Sequence, residues 1–109
     1  MIIDNTIFHP GKVTYNSFSI DFNMPFSSQL DELNEDLIQV EFDKEFLLDI
    51  GWHPERDAKG RIIVRLIHSY RWDYPIIKAE TIEYDELLNI INDIMTEIES
   101  ITETGGGCH

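Results

Sequence analysis

The chain has 109 residues, of which 21 are Asp or Glu and 8 are Lys or Arg, so its formal net charge is −13 with neutral histidines. A chain of this length fits one domain with its own core but not two. Its hydrophobic content of 42% is too high for a disordered acidic tail, and its charge repels nucleic-acid phosphates and anionic membranes. We therefore expect one folded acidic domain that binds neither nucleic acid directly nor a membrane.

The cysteine content and the N-terminal residues indicate a compartment. Cys108 is the only cysteine in the sequence, so no disulfide can form within the chain, as is typical of a protein made for a reducing cytosol. The first residues lack the basic region and apolar run of an export signal, and no uncharged apolar stretch reaches the roughly 18 residues of a membrane span. We expect a cytoplasmic protein.

The first predicted elements are a strand and a short helix. Phe18, Ile20 and Phe22 alternate with polar residues, which predicts a half-buried strand. Asp31 follows Ser28 as in an imperfect capping box, and leucines continue at helical spacing. This pattern predicts a short helix over residues 28–36.

Alternation with a period of two predicts the central strands. Apolar residues alternate over residues 38–42 and 46–52, which predicts two strands joined by a turn at residues 43–44 or, because that turn lacks glycine, one long bulged strand. After a polar loop, residues 61–68 alternate with isoleucine on both faces, which favours a central strand. A last strand is predicted over about residues 76–82.

A long helix is predicted at the end of the chain. From Tyr84 to about Ile101 the apolar residues recur at helical spacing and form one broad stripe. The order of elements predicts an α+β fold, with a single antiparallel β-sheet, a short N-terminal-half helix and a long C-terminal helix packed on one face. We expect a single domain over residues 1–103 and a flexible glycine-rich tail over residues 104–109.

The polar loop after residue 54 resembles a calcium-binding EF-hand loop only in part. Lys59 stands at a ligand position, and Leu66 stands where the bidentate glutamate belongs. We predict a hairpin turn instead, in which Gly60 adopts a positive φ.

The sequence contains no catalytic or metal-binding motif. The histidines lack metal-ligand spacing, and His53 and His68 are expected to face one another across the hairpin as strand-end residues. A nucleophile elbow and a phosphate-binding loop are also missing. We therefore expect no enzyme, no cofactor and no bound metal.

Two groups of residues are candidates for binding a partner protein. Large aromatic side chains in a connection between strands are typical of interfaces, although Trp72 could instead pack into the end of the core. A concentration of carboxylates costs stability through self-repulsion, which favours a function for them, although a solvated helix face is the alternative. The candidate partner-binding residues are Tyr70, Trp72, Asp73, Tyr74, Asp31, Glu32, Glu35, Asp36, Glu55 and Asp57.

A resemblance to small bacterial immunity proteins is carried by Leu48-Asp49-Ile50-Gly51-Trp52-His53-Pro54-Glu55 and Gly60-Arg61-Ile62-Ile63-Val64. Immunity proteins of this kind protect against contact-dependent growth inhibition and other polymorphic toxins. In them a strand ending in Gly-Trp-aromatic-Pro precedes an acidic turn and a second strand, and an amphipathic helix closes the chain. Here the resemblance covers about residues 38–101, and His53 stands at the aromatic position.

The resemblance implies a cytosolic protein that is not an enzyme and that blocks the active site of one cognate toxin C-terminal domain. The composition suits a basic nuclease toxin, since opposite fields accelerate encounter. Two alternatives stay open. A nucleic-acid-mimicking inhibitor of a defence nuclease would need regularly spaced carboxylates, and a small ligand-binding or enzymatic domain would need a concave pocket with converging polar groups.

Overall fold

The structure, a computed structural model, describes residues 1–106, and these form one antiparallel sheet followed by one long helix. The strands lie in the sheet in their order along the chain. The elements are β1 (Lys12–Asn16), β2 (Ile38–Phe42), β3 (Phe46–His53), β4 (Arg61–His68), β5 (Ile77–Thr81) and α1 (Tyr84–Gly106). The predicted α+β class and the antiparallel sheet are confirmed.

The core lies between one face of the sheet and the helix. Because successive strand residues point to opposite faces, Leu48, Ile50 and Trp52 of β3 lie on the same face, and all three are fully buried. The apolar stripe of α1, including Leu87 and Ile91, belongs to the same buried cluster. Burial of each such side chain stabilises the fold by about 1.5–3 kcal/mol, so α1 is held mainly by this stripe.

The predicted strand around residues 18–22 is wrong. Phe18 and Ile20 are buried as the alternation indicates, but the strand in this part of the chain is β1, which ends at Asn16. The Gln29 side chain instead bonds to both backbone polar groups of Asp21. The Asp21 amide donates to Gln29 Oε1 at 2.8 Å, and Gln29 Nε2 donates to the Asp21 carbonyl at 2.8 Å. Side-chain hydrogen bonds of this kind compete with a strand ladder.

The predicted short helix over residues 28–36 is also wrong. The structure has two short 3-10 turns here, Phe26–Ser28 and Leu30–Glu32. The Ser28 hydroxyl donates to the carbonyl of Pro25 at 2.7 Å rather than capping a following helix. The leucine spacing reflects burial of Leu33 and Leu37, which the core achieves without an α-helix.

The strands from residue 38 onward agree with the prediction. Residues 43–45 form a tight turn in which Lys44 and Glu45 have φ values of 63° and 64°, so β2 and β3 are two separate strands. β4 has the predicted bounds and lies between β3 and β5. The helix continues to Gly106, and the rest of the expected tail, residues 107–109, lies outside the described residues.

Two glycines allow close backbone contacts near the end of β3. A Cβ on Gly51 would overlap the carbonyl oxygen of Glu35, and a Cβ on Gly60 would meet the Trp52 indole nitrogen at 2.5 Å. The predicted positive φ at Gly60 is wrong, since Arg56 is the residue of that loop with a positive φ, 58°. Gly60 is therefore needed for space rather than for its backbone conformation.

We predict that Gly51→Ala lowers the free energy of unfolding by about 3 kcal/mol, because the added methyl group displaces the Glu35 carbonyl. Urea unfolding measures this loss. Ser27→Ala, at an exposed position, is the control and should change stability by less than about 0.5 kcal/mol. Equal stability of Gly51→Ala and the wild type would contradict the close contact.

Candidate functional site

The structure brings six of the candidate carboxylates to one end of the sheet. The Glu35 amide donates to Oε2 of Glu55 at 3.2 Å, and the Arg56 amide donates to the Leu33 carbonyl at 2.7 Å. These bonds join residues 31–36 to the loop between β3 and β4. We call this group the acidic cluster, and it consists of Asp31, Glu32, Glu35, Asp36, Glu55 and Asp57.

The carboxylates of the acidic cluster keep most of their charge unneutralised. All except Glu32 are exposed, and Glu32 accepts a hydrogen bond from the Ser19 hydroxyl. Within residues 1–97 the structure shows a single ion pair, between Arg61 Nη1 and Glu80 Oε1 at 3.5 Å, and it involves no carboxylate of the cluster. Arg56 and Lys59 lie in the same loop and offset part of the field, so the cluster presents a net negative surface.

The aromatic candidates form an exposed segment after β4. Tyr70, Trp72 and Tyr74 have exposed fractions of 70%, 41% and 80%. The chain leaves β4 through Ser69 and Tyr70, which both have a positive φ, so the segment departs from the extended path of the strand. Trp72 therefore lies outside the buried core, and Asp73 is exposed beside it. We call residues 70–74 the aromatic segment.

The aromatic segment and the acidic cluster lie at opposite ends of the sheet. The acidic loop precedes Arg61, the aromatic segment follows His68, and eight strand residues span about 26 Å. The two groups therefore do not form one continuous surface.

Other carboxylates lie next to the aromatic segment. Tyr70 lines a small recess of about 60 Å³ together with Glu41, Glu45 and Leu47. The Ser69 hydroxyl donates to Oε2 of Glu45 at 3.0 Å, which ties the segment to the turn after β2. Sequence reasoning missed Glu41 and Glu45. The antiparallel order could have indicated them, because it places the β2–β3 turn and the β4–β5 connection at the same end of the sheet.

A row of polar side chains crosses the sheet face that α1 does not cover. Gln39, Asp49 and Arg65 are neighbours in the strand register, and Gln39 Nε2 donates to Asp49 Oδ1 at 3.1 Å. Asp49 is only 5% exposed, and burial raises its pKa. The Gln39 hydrogen bond and the Arg65 charge oppose this rise, while the charge of Asp36 adds to it.

The two histidines of the hairpin do not face one another, so that expectation is wrong. His53 pairs with Arg61 in the register, and its Nε2 lies 3.3 Å from Arg65 Nη2. His68 lies at the other end of β4, where its ring packs on Phe46 with centroids 4.5 Å apart. His53 ends β3 and His68 ends β4, and in an antiparallel pair the C-terminal ends of the two strands lie at opposite ends of the ladder.

A cleft lies elsewhere in the molecule, away from the row of polar side chains. It measures about 580 Å³, lies between the N-terminal segment, the end of β2 and α1, and includes Ile7, Phe42 and Met95. Asp49 is not among its lining residues. Within the described residues, no group of three or more His, Cys, Asp or Glu side chains is placed to hold a metal ion.

Comparisons with protein-family models, with curated proteins and with solved structures found no match to this chain. Within the described residues, α1 and the shorter helical turns lack the length or the apolar character needed to cross a membrane.

We predict that Asp49→Asn makes the fold more stable at about pH 7. The pKa of Asp49 is higher in the folded chain than its ordinary value of 3.8, so ionised Asp49 costs folding free energy, and the cost disappears as the pH falls toward that value. The substituted amide keeps an oxygen for Gln39 but cannot ionise. The gain should therefore shrink between about pH 7 and pH 4, as measured by urea unfolding.

The control is Asp93→Asn, which removes one negative charge from an exposed position on α1. A variant Asp49→Asn that is less stable than the wild type at neutral pH would show that Arg65 stabilises the carboxylate by more than burial costs.

Proposed function

We propose that this chain is a cytoplasmic immunity protein that binds a cognate toxin C-terminal domain and blocks its active site. The observation that carries the proposal is the acidic cluster, in which a hydrogen bond from the Glu35 amide to Glu55 joins two carboxylate-bearing loops, and none of the cluster's carboxylates forms an ion pair with a described side chain. The resemblance over residues 38–101 supplies the class of partner. The proposed toxin is a basic nuclease.

Electrostatics supports a basic partner. A nuclease holds a polyanion, so its active site carries positive charge, and carboxylates can occupy that site in place of phosphates. A net charge of −13 attracts such a surface over long distances and raises the association rate at low salt. The same charge repels nucleic acid and acidic proteins, which limits the choice of partners.

The aromatic segment supplies a second contact. Exposed Trp and Tyr side chains bury large areas at little entropic cost and dominate the energies of many interfaces. Since the segment lies about one strand length from the acidic cluster, a toxin domain that touches both must extend along the sheet. The proposal therefore assigns the acidic cluster to occlusion of the active site and the aromatic segment to anchoring.

We predict that Glu35→Gln combined with Asp36→Asn slows association with the toxin domain encoded by the adjacent upstream gene. Loss of two exposed charges should lower the association rate constant roughly threefold to tenfold at low salt, and less at 0.15 M salt because of screening. Stopped-flow fluorescence measures the rate. The matched control is Asp93→Asn with Glu97→Gln, which removes the same charge from exposed positions on α1.

Equal slowing by both double variants would assign the effect to net charge rather than to the acidic cluster. No salt-sensitive association of the wild type with the toxin domain, and no protection of cells that produce it, would overturn the immunity function itself.

We predict that Trp72→Ala weakens the complex by about 2 kcal/mol, or roughly thirtyfold in Kd, mainly through faster dissociation. The folded chain should keep its stability, since Trp72 lies outside the buried core. Titration calorimetry measures the affinity, and Tyr15→Ala is the control because Tyr15 is 46% exposed on β1, at the far edge of the sheet. Similar affinities for both variants would exclude Trp72 as an anchor.

A further inference from the structure

β5 forms one edge of the sheet, and its ladder is regular. Each residue from Ile77 to Thr81 pairs with β4 without a register shift. The opposite edge, β1, is interrupted between Val13 and Tyr15. Irregularities of this kind protect an edge strand from pairing with another chain, whereas a straight edge leaves backbone donors and acceptors available. Within the described residues, no strand pairs with the outer side of β5.

Exposed apolar side chains are concentrated in the part of the sequence that includes β5, and two of them flank the strand. Among the described side chains, ten large hydrophobic residues are exposed, and five of them fall within residues 70–82. Ile76 and Ile82 flank β5 directly and are 50% and 51% exposed. Apolar groups beside an open strand edge favour pairing with another strand over solvation.

The sequence of β5 is complementary to itself. Residues 76–82 read Ile-Ile-Lys-Ala-Glu-Thr-Ile, so Lys78 and Glu80 are equally distant from Ala79. If two such strands pair antiparallel about Ala79, Lys78 of one copy lies opposite Glu80 of the other, and Ile76 lies opposite Ile82. Opposite charges and apolar side chains in directly paired positions stabilise an antiparallel pair.

We propose that two copies of this chain associate through their β5 edges, antiparallel and centred on Ala79, so that the two sheets become continuous. Because the two copies are related by a twofold axis, the dimer contains two Lys78–Glu80 pairs and two Ile76–Ile82 contacts. Glu80 already pairs with Arg61 at 3.5 Å, yet 41% of its side chain stays exposed, so its carboxylate is accessible to a second cation. The contact does not depend on the proposed toxin.

The net charge of the chain makes association through β5 depend on salt concentration. Residues 76–82 carry one Lys and one Glu and are locally neutral, whereas each whole chain carries −13. The long-range repulsion acts over a Debye length of about 30 Å at 0.01 M salt and about 8 Å at 0.15 M salt. Association of two copies should therefore become stronger as salt rises over this range, the opposite of the salt effect expected for a basic toxin.

Sedimentation equilibrium of the wild type, Lys78→Glu, Glu80→Lys and the double charge swap tests the proposal. Each single variant places like charges opposite one another twice, so its dimer dissociation constant should rise about tenfold. The swap restores opposite charges and should return the constant to the wild-type range. At high concentration the wild-type mass should approach twice the 12.7 kDa of one chain.

Amide exchange of the wild type gives a second measurement that requires no variant. Alternate amides of residues 77–81 point to the open edge and should exchange more slowly as protein concentration rises. A monomer at every concentration and salt, single variants that associate like the wild type, or a swap that fails to restore association would each overturn the β5 contact. None of these results bears on toxin binding, which the toxin titrations decide separately.

Discussion

The position of the acidic cluster depends on the contact between the Glu35 carbonyl and Gly51. On one side of this contact the Trp52 amide donates to the Asn34 carbonyl at 2.9 Å, and on the other the Leu37 amide donates to the Ile50 carbonyl at 2.9 Å. The intervening chain bulges over β3 because Gly51 has no side chain. The backbone that carries Glu35 and Asp36 is thus fixed on a central strand, and a preorganised backbone lowers the entropic cost of binding.

Trp52 extends the same constraint to the second acidic loop. Its indole Nε1 donates to the Asp57 carbonyl at 2.8 Å, and its ring meets Phe26 edge-on at 4.8 Å between centroids. Gly60 leaves room for the indole. Two successive residues of β3 thus anchor both loops of the cluster, and the same bulge places Asp36 where its charge raises the pKa of buried Asp49.

The sequence predicts the fold well where local pattern and tertiary contact agree. Residues 38–42, 46–53 and 61–68 alternate with period two, and the sheet uses that alternation directly. In residues 17–37 the buried side chains Phe18, Ile20, Leu33 and Leu37 follow a strand-like or helix-like spacing. The segment is held instead by side-chain hydrogen bonds such as those of Gln29, which no periodicity encodes. The pairing of Glu35 with Glu55 joins residues twenty positions apart, so the candidate site emerges only from the folded chain.

The distribution of charge gives the surface two different properties. Most carboxylates lie on loops and on the outer side of α1, where self-repulsion is weakened by solvent. The β5 edge is locally neutral, with one Lys and one Glu flanked by isoleucines, so a contact there would bury less uncompensated charge than one at the acidic cluster. Excess negative charge acts on approaching molecules at long range, whereas the neutral edge can act only at contact distance. The two properties can coexist on a small domain because the acidic cluster lies at the end of the sheet where β3 leads into β4, whereas β5 forms a lateral edge of the same sheet.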